Sequence, residues 1–244
     1  LFALFGGGGG GAWTPADTDT YAWFDAADTV TLTGDPVSAW ADTGSGGFNM
    51  AQPTGPQQPA RSNGISAGLT SLSFVAASQQ FFSTGTGIVA SDIRDMFAVF
   101  LRPAAGQLMI PIGGFPGTGG YPFIWYSDNK RYSDQRAYGG TLAASWNADA
   151  GTGAYVVSVD GGTAGGHQRV RITGTDIAAA GAGVGSSNVA QNLQGARDGE
   201  YTNGEIGEVI IMNRSLSLAE REQFEGYLAW KGGLQGSLPG AHPY

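Results

Sequence analysis

Ser217 stands three residues before Glu220, at the head of the one stretch of this 244-residue chain whose apolar residues recur near helical spacing. In such a capping box the hydroxyl accepts from the N3 amide and the carboxylate reaches back to the N-cap amide. Leu218, Phe224, Tyr227 and Leu228 form the stripe, and Gly232 supplies the stop. The spacing predicts one helix over Ser217–Lys231 and no other. Everything else reads as short strands and turns. Met96–Leu101, Leu108–Ile112, Phe123–Tyr126, Tyr155–Val159 and Val170–Ile172 are β-branched or aromatic and bounded by Gly, Pro or Asp. Asp160-Gly161 is a turn signal, and Ala178–Gly185 reads as a loop or a weak strand. With 42 Gly, 11 Pro and 13% charged residues, the chain suits many tight turns around one core. The expected fold is all-β, a two-sheet antiparallel sandwich with one C-terminal helix. Trp23, Trp40, Phe74, Phe97, Ile210, Phe224 and Leu228 are its expected buried residues.

The strand before the helix, Gly204-Glu205-Ile206-Gly207-Glu208-Val209-Ile210-Ile211-Met212, should put Ile206, Ile210 and Met212 on one face and Val209 and Ile211 on the other. Asn213-Arg214-Ser215 then makes the turn. This strand–turn–helix, ending in Tyr227-Leu228-Ala229-Trp230-Lys231, resembles the closing segment of concanavalin A-like (laminin-G-like) jelly-roll domains of bacteriophage virion proteins and bacterial surface proteins. The opening Trp23-Phe24-Asp25-Ala26-Ala27-Asp28, with Val37, Trp40-Ala41-Asp42 and Gly44-Ser45-Gly46, resembles the start of the same domains. Gly232 stands where that family has Trp. The resemblance implies a jelly-roll domain over residues 13–244. It does not fix function, because this sandwich carries lectins, glycosidases, adhesins and shell proteins.

Residues 1–12 differ in kind. Leu1, Phe2, Leu4 and Phe5 form an apolar plug, and six consecutive glycines, Gly6–Gly11, follow. Oligo-glycine has maximal backbone freedom. The expected role is a partner anchor on a thin tether; the alternative is the stub of a removed signal or membrane segment. With the family resemblance, the anchor implies a non-enzymatic structural virion protein: a decoration, fibre or tail-associated jelly roll. Its partners would be capsid or tail subunits and copies of itself, a trimer being one form. The alternative function is a carbohydrate-binding module of a bacterial surface or secreted protein.

Net charge of −8 and a pI near 4.6 disfavour nucleic acid phosphates. No apolar run approaches the roughly 18 residues of a membrane span. Without cysteine there is no thiolate metal site and no disulfide.

Catalytic material is sparse. A sandwich glycosidase needs two carboxylates across the scissile bond. Glu205 and Glu208 are the nearest pair, and their odd spacing should send them to opposite faces of a strand. Gly64-Ile65-Ser66-Ala67-Gly68 matches a nucleophile elbow by letter, but it reads as a loop before a strand rather than a strand before a helix. His167 and His242 are isolated, so no Ser–His pair or His-based zinc site is expected. No catalytic residue and no cofactor is therefore expected. Calcium alone stays open, because Asp17, Asp19, Asp25, Asp28 and Asp42 offer the right donors without a ligand-loop spacing. The densest polar and aromatic segment holds Trp125, Tyr126, Arg131, Tyr132 and Tyr138. Three roles stay open for it: core and strand-end packing, a subunit contact, or a glycan site, where rings stack on sugars and polar groups take hydroxyls.

Overall fold

The computed structural model describes residues 13–66, 68–89, 93–103, 109–112, 121–126, 131–135, 144–147, 152–160, 168–180, 190–194, 196–197 and 200–244. Its strands are β1 (Ala22–Asp25), β2 (Leu32–Gly34), β3 (Val37–Trp40), β4 (Met50–Ala51), β5 (Ala60–Ser62), β6 (Ser71–Phe74), β7 (Phe82–Val89), β8 (Asp95–Arg102), β9 (Met109–Ile112), β10 (Tyr121–Tyr126), β11 (Arg131–Gln135), β12 (Ala144–Asn147), β13 (Gly153–Asp160), β14 (Gln168–Ile172), β15 (Thr175–Ala180), β16 (Ala190–Gln194), β17 (Ala196–Arg197), β18 (Glu200–Tyr201) and β19 (Gly204–Met212), followed by the helix α1 (Leu218–Lys231). The large sheet runs β15-β14-β13-β8-β19-β6-β5, with β1 also paired to β19. A second sheet runs β16-β7-β4-β3-β2. Every described pairing is antiparallel. This is the expected all-β sandwich with one C-terminal helix. A four-stranded sheet, β12-β11-β10-β9, and the small β17–β18 pair complete it.

Two apolar clusters hold the layers. Between the sheets lie Phe24, Trp40, Phe74, Phe82, Met96, Phe100, Ile206, Val209 and Ile211; between the large sheet and α1 lie Phe97, Val99, Ile210, Met212, Phe224 and Leu228. β8 alternates between them, which is why it is apolar at nearly every position. Burying each large side chain contributes about 1.5–3 kcal/mol. Six of the seven expected core residues are almost fully buried. Trp23 is only partly buried, because its indole sits at the rim of the helix-side cluster.

The capping box forms as read. Ser217 Oγ accepts from the Glu220 amide at 3.3 Å, and the Ser217 amide donates to Glu220 Oε2 at 2.9 Å. The stop differs slightly from expectation. Gly232 keeps right-handed backbone and donates to Leu228 O, and Gly233 takes the left-handed conformation at φ 71°. The face assignment of β19 is corrected. Its pairing with β8 shifts between Ile206 and Glu208, a β-bulge at Gly207. One extra residue reverses the alternation. Ile206 therefore joins Val209 and Ile211 between the sheets, while Ile210 and Met212 face the helix.

Candidate functional site

The bulge overturns the expectation that Glu205 and Glu208 diverge. Ile206 and Val209 both face the inter-sheet core, so their neighbours Glu205 and Glu208 both face the helix side. The two carboxylates share a face but not a task. Glu205 accepts from Ser62 Oγ at 2.8 Å, the Gly64 amide at 2.9 Å and Ser71 Oγ at 2.6 Å. It ties down the loop between β5 and β6, and a Cβ at Gly64 would force the carboxylate to shift. That loop contains Ser66 and leads into β6, so the elbow match is a carboxylate cradle with no strand-to-helix turn.

Glu208 lies opposite Asp25 in the β1–β19 register. Like charges placed so repel. Lys231, in the last turn of α1, resolves this. Its Nζ stands 2.5 Å from Asp25 Oδ2, 2.8 Å from Glu208 Oε2 and 3.1 Å from the Tyr227 hydroxyl. Trp23 Nε1 donates to Glu208 Oε1 at 2.6 Å. Burial pushes the Glu208 carboxyl up to about 7, against the pull of Lys231, with Asp25 adding to the rise. Burial also opposes the Lys231 charge, but Glu208 and Asp25 outweigh it and hold the ammonium above its usual range. Burial, with both carboxylates, raises the Tyr227 phenol.

The space beside this cluster is small. Asp25, Ile65, Ser66, Ser71, Glu208 and Lys231 border a pocket of about 20 Å³. That is room for about one water. Small-molecule sites measure roughly 300–1,000 Å³. The arrangement latches the helix to the sheet, and the space beside Asp25 and Glu208 does not admit a sugar.

Two further latches hold α1. Asp95 takes the Leu216 amide at 2.9 Å and pairs with Arg221 at 3.1 Å. Glu225, fully buried, takes Ser158 Oγ, Arg171 Nη1 at 3.1 Å and His242 Nε2 at 3.3 Å. Ser158 and His242 thus meet the same carboxylate rather than each other. His242 fastens the C-terminal segment over α1, and Gly226 leaves room for the Tyr244 side chain. Nothing in the spacing of Ser158, Arg171 and Glu225 signals this network in the sequence.

The calcium candidates are partly committed to protein donors. Asp42 accepts from the Trp23, Gly44 and Phe48 amides. Asp17 closes a turn with the Thr14 amide, and Asp25 pairs with Lys231. Among the described residues no three His, Asp or Glu side chains gather as a metal site.

Leu1, Phe2, Leu4, Phe5 and Tyr138 lie outside the described residues. The other segment candidates lie on the four-stranded sheet and split between its faces. Trp125 is the direct partner of Tyr132, and Tyr126 of Arg131. Successive pairs alternate faces. Tyr132 is in turn the partner of Trp146, and Trp125 of Met109. Register thus sets Trp125, Tyr132 and Trp146 in one row across three strands. Asp134, two residues along β11 from Tyr132, shares their face. Tyr126, Arg131 and Asn147 belong to the opposite face with Ser133 and Ser145. Trp146 was not among the sequence candidates; only the pairing of β11 with β12 brings it in. The sheet meets the rest of the described chain mainly through β9, which lies against β8, β16, β17 and β19, and through β12 against β15.

No family model and no curated protein matches this chain. Its likenesses are to solved structures. Trypanosoma rangeli sialidase superposes with a TM-score of 0.58 at 16% identity, over 91% of this chain and 34% of that one. The binding domain of Paraclostridial Mosquitocidal Protein 1 superposes with a TM-score of 0.58 at 12% identity, over 86% of this chain and 52% of that one. These are likenesses of fold. The chain spans about a third of the sialidase and about half of the mosquitocidal domain.

The fold is thus shared with a stretch of an enzyme and with a binding domain. Within this chain Glu205 and Glu208 are each held by protein donors, while the aromatic row belongs to a sheet that meets the rest of the described chain mainly through β9 and β12.

Proposed function

We propose that this chain is a non-catalytic carbohydrate-binding module that holds glycan on the Trp125–Tyr132–Trp146 row. The observation that carries the reading is the register of those three residues on one sheet face with Asp134. Aromatic rings stack on the C–H faces of sugars, and a carboxylate accepts from their hydroxyls. The fold shared with a mosquitocidal binding domain supports a module whose task is attachment. The non-catalytic part rests on Glu205 and Glu208, each engaged with protein donors, and on the small space beside Glu208. The virion reading draws on Leu1–Gly11, outside the described residues, and no described contact favours it over the glycan reading.

The test is a glycan array followed by titration calorimetry on the intact chain and on Trp125→Ala and Trp146→Ala. Binding that falls at least tenfold in both variants, with unchanged melting temperature, supports the reading. An intact chain that retains no glycan, or variants that bind as well as the wild type, overturns it. Release of free sugar that stops in Glu208→Gln would overturn the non-catalytic part.

A further inference from the structure

We infer that Lys231 and Asp25 form a self-modification site: the Lys231 amine and the Asp25 carboxyl condense into an isopeptide bond, with Glu208 carrying the protons. This goes beyond the glycan reading and does not depend on it. Amide formation between side chains needs an amine held against a carboxyl carbon, a proton carrier beside both, and little water. Lys231 Nζ stands 2.5 Å from Asp25 Oδ2, closer than the about 2.7–2.9 Å of an ordinary ammonium–carboxylate contact. Asp25 Cγ lies one C–O bond beyond that oxygen, so it is at most about 3.7 Å from Nζ. Reacting atoms poised for attack lie roughly 3–3.5 Å apart, and such placement equals an effective concentration of about 10⁵–10⁸ M.

The two Asp25 oxygens have different partners. Oδ1 accepts from the Ala27 amide at 2.9 Å, so a backbone donor already faces the oxygen on which charge develops. Oδ2 faces Lys231. Glu208 Oε2 meets the same Nζ at 2.8 Å, while Trp23 Nε1 holds Glu208 Oε1 at 2.6 Å. Burial pushes the Glu208 carboxyl up to about 7, so near neutrality it has a proton to give. The step then balances. The ammonium passes one proton to Asp25 Oδ2, leaving an uncharged amine and an uncharged acid, the forms that burial favours. Nζ attacks Cγ; the Nζ–Cγ bond forms and the Cγ–Oδ2 bond breaks. Glu208 gives its proton to the departing oxygen and takes one from Nζ, ending as it began. One water leaves, and no oxidant or other reactant is consumed. The pocket of about 20 Å³ beside the three side chains has room for that water. Until the bond forms, Glu208 and Asp25 hold the charge on Lys231, so the unbonded chain is the ionic latch described above and the reaction is slow. The bond joins residues 206 positions apart. It ties β1, which among the described strands pairs with β19 alone, to the last turn of α1. A cross-link over so long a loop strongly restricts the unfolded chain, and a chain without cysteine has no disulfide to do so.

The experiment is intact-mass spectrometry of the full chain after incubation at neutral pH, followed by trypsin digestion and fragmentation. The wild type should weigh less than its sequence by one water. Its digest should hold a branched peptide joining the Asp25 segment to the Lys231 segment, and cleavage after Lys231 should be lost. Lys231→Met and Asp25→Ala should keep the full mass of their sequences. Glu208→Gln should form the bond at least tenfold more slowly. The wild-type mass decides the matter even where a variant folds poorly. A wild type at full mass overturns the proposal. So does a water loss that persists in Lys231→Met, or a branch that ends on Glu208 instead of Asp25. A bond that forms in Glu208→Gln at the wild-type rate overturns the role given to Glu208.

Discussion

Replacing Glu208 by Gln should abolish a fall in stability that the wild-type chain shows as pH rises from about 5 to 8. The native carboxyl titrates near 7 against an ordinary 4.5. Between those values the folded state holds a proton that the unfolded state has released. Stability then falls with rising pH, because it follows the difference in protons bound by the unfolded and native states. At about 1.4 kcal/mol per pH unit the loss is roughly 3 kcal/mol. Glu208 is 1% exposed, so solvent screening removes little of it. For a chain of this size that is a melting shift of roughly 6–12 °C. Asp25 and Trp23 of β1 and Lys231 and Tyr227 of α1 face the carboxyl. Lys231 stays charged throughout, since its raised pKa keeps its contribution intact until the pH passes the usual lysine value. Glu220, lowered to about 2 by Arg214 and Ser217, contributes above its unfolded value and loses that contribution only in stronger acid, outside this window. The assay is urea unfolding at pH 5, 6, 7 and 8, with His242→Asn as a control for the separate Glu225 network. A midpoint that is flat or rises in the wild type, or falls equally in Glu208→Gln, would refute the reasoning.

Removing Lys231 while keeping its length, as Lys231→Met, should cost about 3–5 kcal/mol at pH 8, since it leaves two facing carboxylates buried without a cation; the urea midpoint reads this directly. Leu228→Ala, at a fully buried position under α1, should cost about 2–5 kcal/mol, seen as a lower midpoint with an unchanged slope. Ser217→Ala should cost about 1 kcal/mol through the lost cap and should increase hydrogen exchange in the first turn of α1 before elsewhere. Gly207→Ala would bring a Cβ within 3.0 Å of Ile65 and 3.2 Å of Val99, and overpacking of this kind costs about 1–3 kcal/mol.

Local rules made the helix and several of the strands readable. The box at Ser217 and Glu220, the apolar stripe and the aromatic runs of β8, β10 and β13 all depend on neighbours within a few residues. What stayed hidden depends on distant partners. The β-bulge in β19 arises where that strand pairs with β8, more than a hundred residues away, and Gly207 alone gives no sign of it in a chain with 42 glycines. Trp146 becomes part of a candidate site only through its pairing with Tyr132. Lys231, in the last turn of the helix, gains its task from Asp25 at the far end of the sequence. Of the five glycan or subunit candidates, register keeps Trp125 and Tyr132 together and sends Tyr126 and Arg131 to the other face.

The bulge at Gly207 sets the surroundings of Glu208. Without it, Glu208 would face the inter-sheet core, where a carboxylate has no partner and its desolvation would be prohibitive. With it, Glu208 turns toward α1, and the carbonyl of Gly207 takes the Ala26 amide. Asp25 then lies directly opposite, and once Glu208 ionises a cation is needed to offset the two charges. Lys231 reaches it because α1 runs fourteen residues from its Ser217 cap, bringing its last turn over the β1–β19 pair. Helix length, bulge and acid pair are therefore one construction. An opening wide enough to admit a sugar between Glu205 and Glu208 would have to lift Lys231 away and leave two buried carboxylates unpaired. The sheet face that carries Glu208 is thus the face that anchors the helix.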